Sequence, residues 1–129
     1  VLFQLPPFLK ADAALLSDFL ALLPTAVRST FEFRHESWFT NETFALLRQA
    51  NAALCLAESE KLVVPDVATA GFVYYRLRKP EYSAAERKQL AERIGAQLAQ
   101  QRDAFVYFKH EETPEGALYA EELMNRAAG

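Results

Sequence analysis

The chain reads as α/β: about five parallel strands with intervening helices, bent into a barrel or an arc of one. Three observations point there. First, short apolar runs recur, and each ends on charged or polar groups: Phe31-Glu32-Phe33-Arg34-His35, Ala53-Leu54-Cys55-Leu56-Ala57-Glu58, Phe72-Val73-Tyr74-Tyr75-Arg76-Leu77-Arg78 and Ala104-Phe105-Val106-Tyr107-Phe108-Lys109-His110, with a fifth run, Val1 to Leu5, stopping at Pro6-Pro7. Second, helical periodicity separates most of these runs, and strands that alternate with helices build a parallel sheet. Third, the runs alternate in polarity. Side chains alternate across a strand, so Phe31, Phe33 and His35 share one face while Glu32 and Arg34 share the other. Tyr74, Arg76 and Arg78 likewise share a face, as do Gln4 and Pro6, and Tyr107 and Lys109. The apolar set must pack on helices. A flat doubly wound sheet would bury the polar set under helices as well, at a cost; a barrel interior, open to water at one end, accommodates it.

The elements follow in order. After Pro6-Pro7, Asp12 is placed to cap a helix running to about Leu23, with Leu15, Leu16, Phe19, Leu20, Leu22 and Leu23 as one broad apolar face and Pro24 ending it. A strand is expected from about Ser29 to Arg34. Thr40 or Asn41 caps the next helix, which reaches about Ala50 with Phe44, Leu46 and Leu47 facing inward, and Asn51 suits the left-handed turn that closes it. Ala53 to Ala57 is a short buried strand. Pro65 argues against a long helix between Glu58 and Gly71, so that stretch reads as a loop. Phe72 to Leu77 is the clearest strand, rich in aromatic and β-branched residues. Ser83 and Glu86 have capping-box spacing, opening a helix to about Gln100 with Leu90, Ile94 and Leu98 inward. Arg102-Asp103 turns into the last strand, and Thr113-Pro114-Glu115 starts a last helix.

Composition narrows the function classes. The chain has 129 residues, of which 51% are hydrophobic and 24% charged, which suits one globular domain with a sizeable core. A net charge of −3 gives no overall basic footprint, so nucleic acid remains a partner only through a local cationic patch. The single Cys55 excludes an internal disulfide and a cysteine zinc site, and it reads as a small core residue. No apolar run reaches the roughly 20 residues of a membrane span, and no signal peptide is visible; a cytoplasmic location is expected. Four glycines without GxGxxG spacing, and no Ser-centred nucleophile elbow, argue against a dinucleotide cofactor and a serine hydrolase. No cofactor is expected.

In parallel sheets ligands bind where strands reach their carboxyl ends, and the chemistry-bearing residues lie there. Glu32, Arg34 and Arg76, with Gln4 and Tyr74, are placed to form an ion-pair network. Two readings stand open: a substrate clamp, since guanidinium forks match carboxylate and phosphate, with Glu32 as acid or base; or a self-satisfied structural network, since buried charges need partners in any case. His35 is either a proton shuttle or a loop hydrogen-bonding residue, and Trp38 either covers the site or staples the following helix. Arg76, Arg78, Lys79 and Lys109, among Tyr74, Tyr75, Tyr82 and Tyr107, form a cationic and aromatic cluster suited to an anion; Arg78 and Lys79 are alternatively solvated loop charges. Glu58, His110, Glu111 and Glu112 offer metal-ligand chemistry without metal-ligand spacing, so no metal is expected.

The blocks Val1 to Pro7, Phe31 to Phe39, Phe72 to Arg78 and Phe105 to His110 together resemble the YecE-like family, domain of unknown function 72. Glu-x-Arg-His-x-Ser-Trp at Glu32 to Trp38 is the most specific of them. The resemblance covers the whole chain and implies a TIM-barrel-like (β/α) fold of about eight strands. Residues 1–129, which open in mid-strand without an initiator methionine, would then be a single domain forming the C-terminal part of the barrel, with three strands preceding it. Where the family pattern has His-Gly and Asn-Asn, this chain has Arg78-Lys79 and Lys109-His110, which makes its strand ends more cationic. The resemblance implies a fold and a site but no reaction. The expected function is an uncharacterised barrel protein with a pocket for a phosphorylated or otherwise acidic small molecule. Arg34 and Arg76 would orient the anion, Glu32 or His35 would move protons, and Gln4, Trp38, Tyr74, Tyr107 and Lys109 would line the pocket. A non-catalytic module binding a ligand or nucleic acid is the alternative.

Overall fold

A computed structural model describes residues 1–59, 61–79 and 81–108. The elements run β1 (Leu2–Gln4), α1 (Ala13–Leu22), β2 (Thr30–Glu32), a 3₁₀ turn (Glu36–Trp38), α2 (Asn41–Gln49), β3 (Ala53–Ala57), β4 (Phe72–Leu77), α3 (Ala84–Ala99) and β5 (Asp103–Phe108). The five strands are parallel and lie in sequence order, β1-β2-β3-β4-β5. The last helix expected from Thr113 lies outside the described residues.

Local chemistry sets the element ends. The Asp12 carboxylate accepts from the Leu15 amide and starts α1; Thr40 does the same for α2 through the Thr43 amide. Ser83 and Glu86 make both arms of a capping box at the head of α3. Asn51, at φ 51°, takes the left-handed turn after α2, and its side-chain oxygen accepts from the Gly71 amide. β2 is shorter than expected. Its ladder ends at Glu32, whose carbonyl accepts from Leu5, and the chain then bends into the 3₁₀ turn.

Polarity alternation sorts the two faces of the sheet. Phe31, Phe33, Leu54, Leu56, Val73, Tyr75 and Leu77 join Leu16, Phe44, Leu47, Leu90, Ala91 and Ile94 from the three helices in one core. Burial of such side chains is the main stabilising term, about 1.5–3 kcal/mol each. Two expected apolar stripes are less covered than their spacing suggests. In α1 only Leu16 is buried, with Leu15 half-exposed and Leu22 largely exposed. In α3, Leu98 shares the stripe of Leu90 and Ile94 but sits in the last turn, where cover is lost, and Ala91 is buried instead.

The stretch from Glu58 to Gly71 has no regular element among its described residues, yet it is anchored. The Thr69 hydroxyl donates to the Ala52 carbonyl at 2.7 Å and accepts from the Leu54 amide at 3.1 Å, in a buried position at the head of β3. Replacing Thr69 with Val keeps the shape and leaves a buried amide without its acceptor. Thr69→Val is expected to lower unfolding free energy by about 1–3 kcal/mol in urea titration, while Ser59→Ala, in an exposed part of the same stretch, changes it little; equal effects would refute the anchoring role.

Candidate functional site

On the polar face of the sheet, Glu32 and its guanidiniums gather at the carboxyl ends of the strands. Gln4 and Glu32 are the last residues of β1 and β2 and stand opposite each other in register. Arg76 stands opposite Ala57 on one side and Tyr107 on the other. Arg34 and Arg78 lie just past the ends of β2 and β4.

Glu32 is the centre. It is 3% exposed, and three guanidiniums converge on it. Its Oε1 accepts from Arg76 Nη1 and from Gln4 Nε2 at 3.3 Å, with Cys55 Sγ at 4.0 Å. Its Oε2 has Arg34 Nε at 3.4 Å and Arg78 Nη2 at 3.5 Å. Burial pushes the Glu32 carboxyl up, but the hydrogen bond and charge of Arg76, with Gln4 and Arg78, outweigh it and hold the group below the usual carboxylate range. Glu32 is therefore an ionised counter-charge at neutral pH and a weak base. Cys55, buried beside it, has its thiol pushed up to about 12 by burial and by the Glu32 charge, so it stays a neutral thiol.

Tyr74 and Tyr107 form the aromatic wall of this face, their rings 5.2 Å apart; Tyr107 is exposed and Tyr74 half-buried. At the other end of the same face Arg28 pairs with Asp103 at 2.7 Å and lies over the rings of Phe72 and Phe105. The amino-terminal end is thus filled by aromatic rings under an exposed ion pair, and the surplus of cations lies at the carboxyl end.

Above the strand ends, Tyr82 is buried and donates its hydroxyl proton to the Glu58 carboxylate while accepting from the Lys79 amide. Burial and the Glu58 contact push the Tyr82 phenol up, so it remains a donor. This bond ties the segment after β4 to the end of β3. Lys79 pairs with Glu86 at the head of α3, and that contact raises the lysine and lowers the Glu86 carboxyl to about 2.

The expected site residues divide accordingly. Gln4, Glu32, Arg34 and Arg76 come together, and Tyr74 and Tyr107 stand on the same face. His35 and Trp38 do not join them. His35 Nδ1 accepts from the Ser37 amide at 3.1 Å and lies 2.8 Å from Ser37 Oγ, capping the 3₁₀ turn. Of the two readings of His35, these contacts match the loop hydrogen-bonding one, with the chain bending directly after β2. Trp38 is 1% exposed, stacks on Phe33 at 4.7 Å and donates to the Leu9 carbonyl at 2.9 Å. It lies on the helix-packed face and staples the loop. Glu58 is committed to Tyr82. Lys109, His110, Glu111 and Glu112 lie outside the described residues, and among the described residues no cluster of potential metal ligands forms. Arg78, which reads either as part of the cationic cluster or as a solvated loop charge, is the third guanidinium on Glu32, in parity with Tyr74 and Arg76. Cys55 faces Glu32 on the same principle.

A parallel α/β sheet packed by helices on one face, with ionisable groups gathered on the other at the strand ends, belongs to the TIM-barrel-like class. Within that class the family described as "Protein of unknown function DUF72" matches residues 1–129, and the chain belongs to it. The YecE-like name denotes the same family. The solved structure of the DUF72 family protein TM1631 from Thermotoga maritima MSB8 is similar at a TM-score of 0.81 and 22% identity, covering 99% of this chain and 57% of that one. The DUF72 family protein EF0366 from Enterococcus faecalis V583 is similar at 0.79 and 14% identity, covering 96% of this chain and 59% of that one. This chain thus spans less than two thirds of either structure. No curated protein matches it. Among the described residues no helix is long and apolar enough to cross a membrane.

The lowered Glu32 carboxyl has a consequence for acid stability. Its contribution is complete above the ordinary value of 4.5 and is lost as pH falls through the lowered value in the folded state. The stability gap between the parent protein and Glu32→Gln is expected to narrow as urea titrations move from neutral pH to about pH 3. The exposed Glu86 titrates in both proteins and cancels. A gap independent of pH would overturn this account of Glu32.

Proposed function

We propose that the cluster at the carboxyl ends of the strands is an anion-accepting site for a phosphorylated or otherwise acidic small molecule. One observation carries this: three guanidiniums meet a single ionised carboxylate. One cation suffices to pair a buried carboxylate, so two of the three guanidiniums exceed what Glu32 itself requires. The cluster divides into two parts. Arg76 and Gln4 hold Glu32 in place, and Arg34 and Arg78 keep 39% and 27% of their side chains exposed. Tyr74 and Tyr107 line the site. The weak basicity of Glu32 and the loop role of His35 favour binding over proton transfer by these two groups. The overall charge of −3 favours a small anion over a nucleic-acid strand.

The two parts predict different variants. Arg34→Ala, in an exposed side chain, is expected to leave unfolding free energy nearly unchanged and to remove most of the thermal stabilisation that inorganic phosphate gives the protein. Arg76→Ala leaves a buried carboxylate without its main partner and is expected to lower stability by about 3–5 kcal/mol. Differential scanning fluorimetry at constant ionic strength reads both. Absence of any stabilisation by phosphate, or phosphate stabilisation untouched in Arg34→Ala, would leave the network purely structural.

We propose also that residues 1–129 form the C-terminal part of a larger (β/α) barrel whose preceding strands pair with β1. Among the described residues β1 pairs only with β2. Beside it an apolar groove of about 260 Å³ is lined by Phe3, Leu5, Leu9, Leu15, Phe19 and Phe31. An uncovered strand edge with apolar neighbours promotes association. Residues 1–129 on their own are expected to self-associate in sedimentation; a stable monomer would count against this reading.

A further inference from the structure

The two oxygens of Glu32 are not equivalent. Oε1 is engaged by Arg76 and Gln4, whereas among the described residues Oε2 is met only by Arg34 and Arg78, at 3.4 and 3.5 Å. Charge-assisted N–H···O bonds are commonly about 2.7–2.9 Å, so these two guanidiniums are gathered over Oε2 without being closely bound. Arg78 Nε is buried and has no hydrogen-bond partner among the described residues. Among the described residues, one carboxylate stands against three guanidiniums, an excess of two positive charges.

These features distinguish between anions. A monocarboxylate engages one guanidinium fork and brings one charge. Two forks arriving from β2 and β4, with two charges to compensate, suit a tetrahedral dianion with three acceptor oxygens. A phosphate monoester has these properties, carrying about −1.5 to −2 at neutral pH. The organic part of such a ligand has a defined neighbour. β5 lies next to β4, about 4.8 Å away, and places Tyr107 in register with Arg76. The Tyr107 ring is 53% exposed and is braced by Tyr74 at a 31° tilt. A braced, exposed ring one strand from a phosphate-binding fork presents a stacking surface to a flat group.

We propose that the site takes an aryl or heteroaryl phosphate monoester, its phosphate bridging Arg34 and Arg78 and its ring lying on Tyr107. This rests on the anion-accepting reading of the same site and adds the class of ligand. Calorimetric titration of the full chain with phenyl phosphate, glycerol phosphate and benzoate, at fixed ionic strength, tests it. Phenyl phosphate is expected to bind about fivefold tighter than glycerol phosphate, with benzoate weakest. Tyr107→Ala is expected to bring phenyl phosphate down to the affinity of glycerol phosphate, and Tyr107→Phe to keep the preference. Equal affinities for the two phosphates, or a preference that survives Tyr107→Ala, overturn the aryl assignment while the anion site stands. Benzoate binding as tightly as phenyl phosphate overturns the dianion assignment. Failure of all three ligands to bind removes the anion-accepting reading itself.

Discussion

The pairing of Glu32 with Arg76 is the constraint around which the polar face of this sheet is arranged. A carboxylate that is 3% exposed is tolerable only with a close cation and further donors, and here they arrive from β1 through Gln4 and from β4 through Arg76. Those partners lie on strands either side of β2, separated from it by zero and one strand. The contact across β3 requires a small residue beneath it, and β3 supplies Cys55 and Ala57 on that face. A bulky side chain at either position would separate the ion pair. The smallness of β3 and the charge of its neighbours are therefore one feature.

The same contact explains why the two faces of the sheet have such different chemistry. The helix-packed face is stabilised by apolar burial and aromatic stacking that runs from Phe3 through Phe31 and Phe33 to Trp38. The opposite face holds rings and an ion pair at its amino-terminal end and guanidiniums at its carboxyl end. Fixing the register of β2 against β1 fixes both faces at once, because a slip of one residue would exchange Glu32 with Phe31 or Phe33.

Much of this was legible from local pattern. The period-two alternation of Phe31 to Arg34 and of Tyr74 to Arg78 separated the faces correctly, and Asp12, Thr40, Ser83 and Asn51 marked helix ends through their own hydrogen bonds. Local pattern carries no information on how far a loop turns. His35 and Trp38 were therefore drawn toward the site by proximity in sequence, whereas the bend after β2 takes both into the loop. Arg78 lies just beyond the strand end yet keeps the parity of Tyr74 and Arg76, and its side chain reaches Glu32 from there. The Tyr82 bond to Glu58 spans 24 residues and leaves no local signature.

Tyr82 also bears on what the cluster is for. The segment holding Arg78 is tied down on both sides: behind it by β4, and ahead by the Tyr82–Glu58 bond and the Lys79–Glu86 pair at the start of α3. Arg78 is thereby held over Oε2 by bonds that do not involve Oε2 itself. If its position depended on attraction to Glu32 alone, a ligand drawing it away would have to break its placement. With the backbone fixed independently, the proposed ligand would draw the guanidinium from a long contact with a carboxylate to a closer one without reorganising the loop. Preorganisation of that kind lowers the cost of binding. On the proposed anion-accepting reading the cluster has two parts: Arg76, 20% exposed, closes on the buried Glu32, and Arg34 and Arg78 are the guanidiniums a ligand would meet.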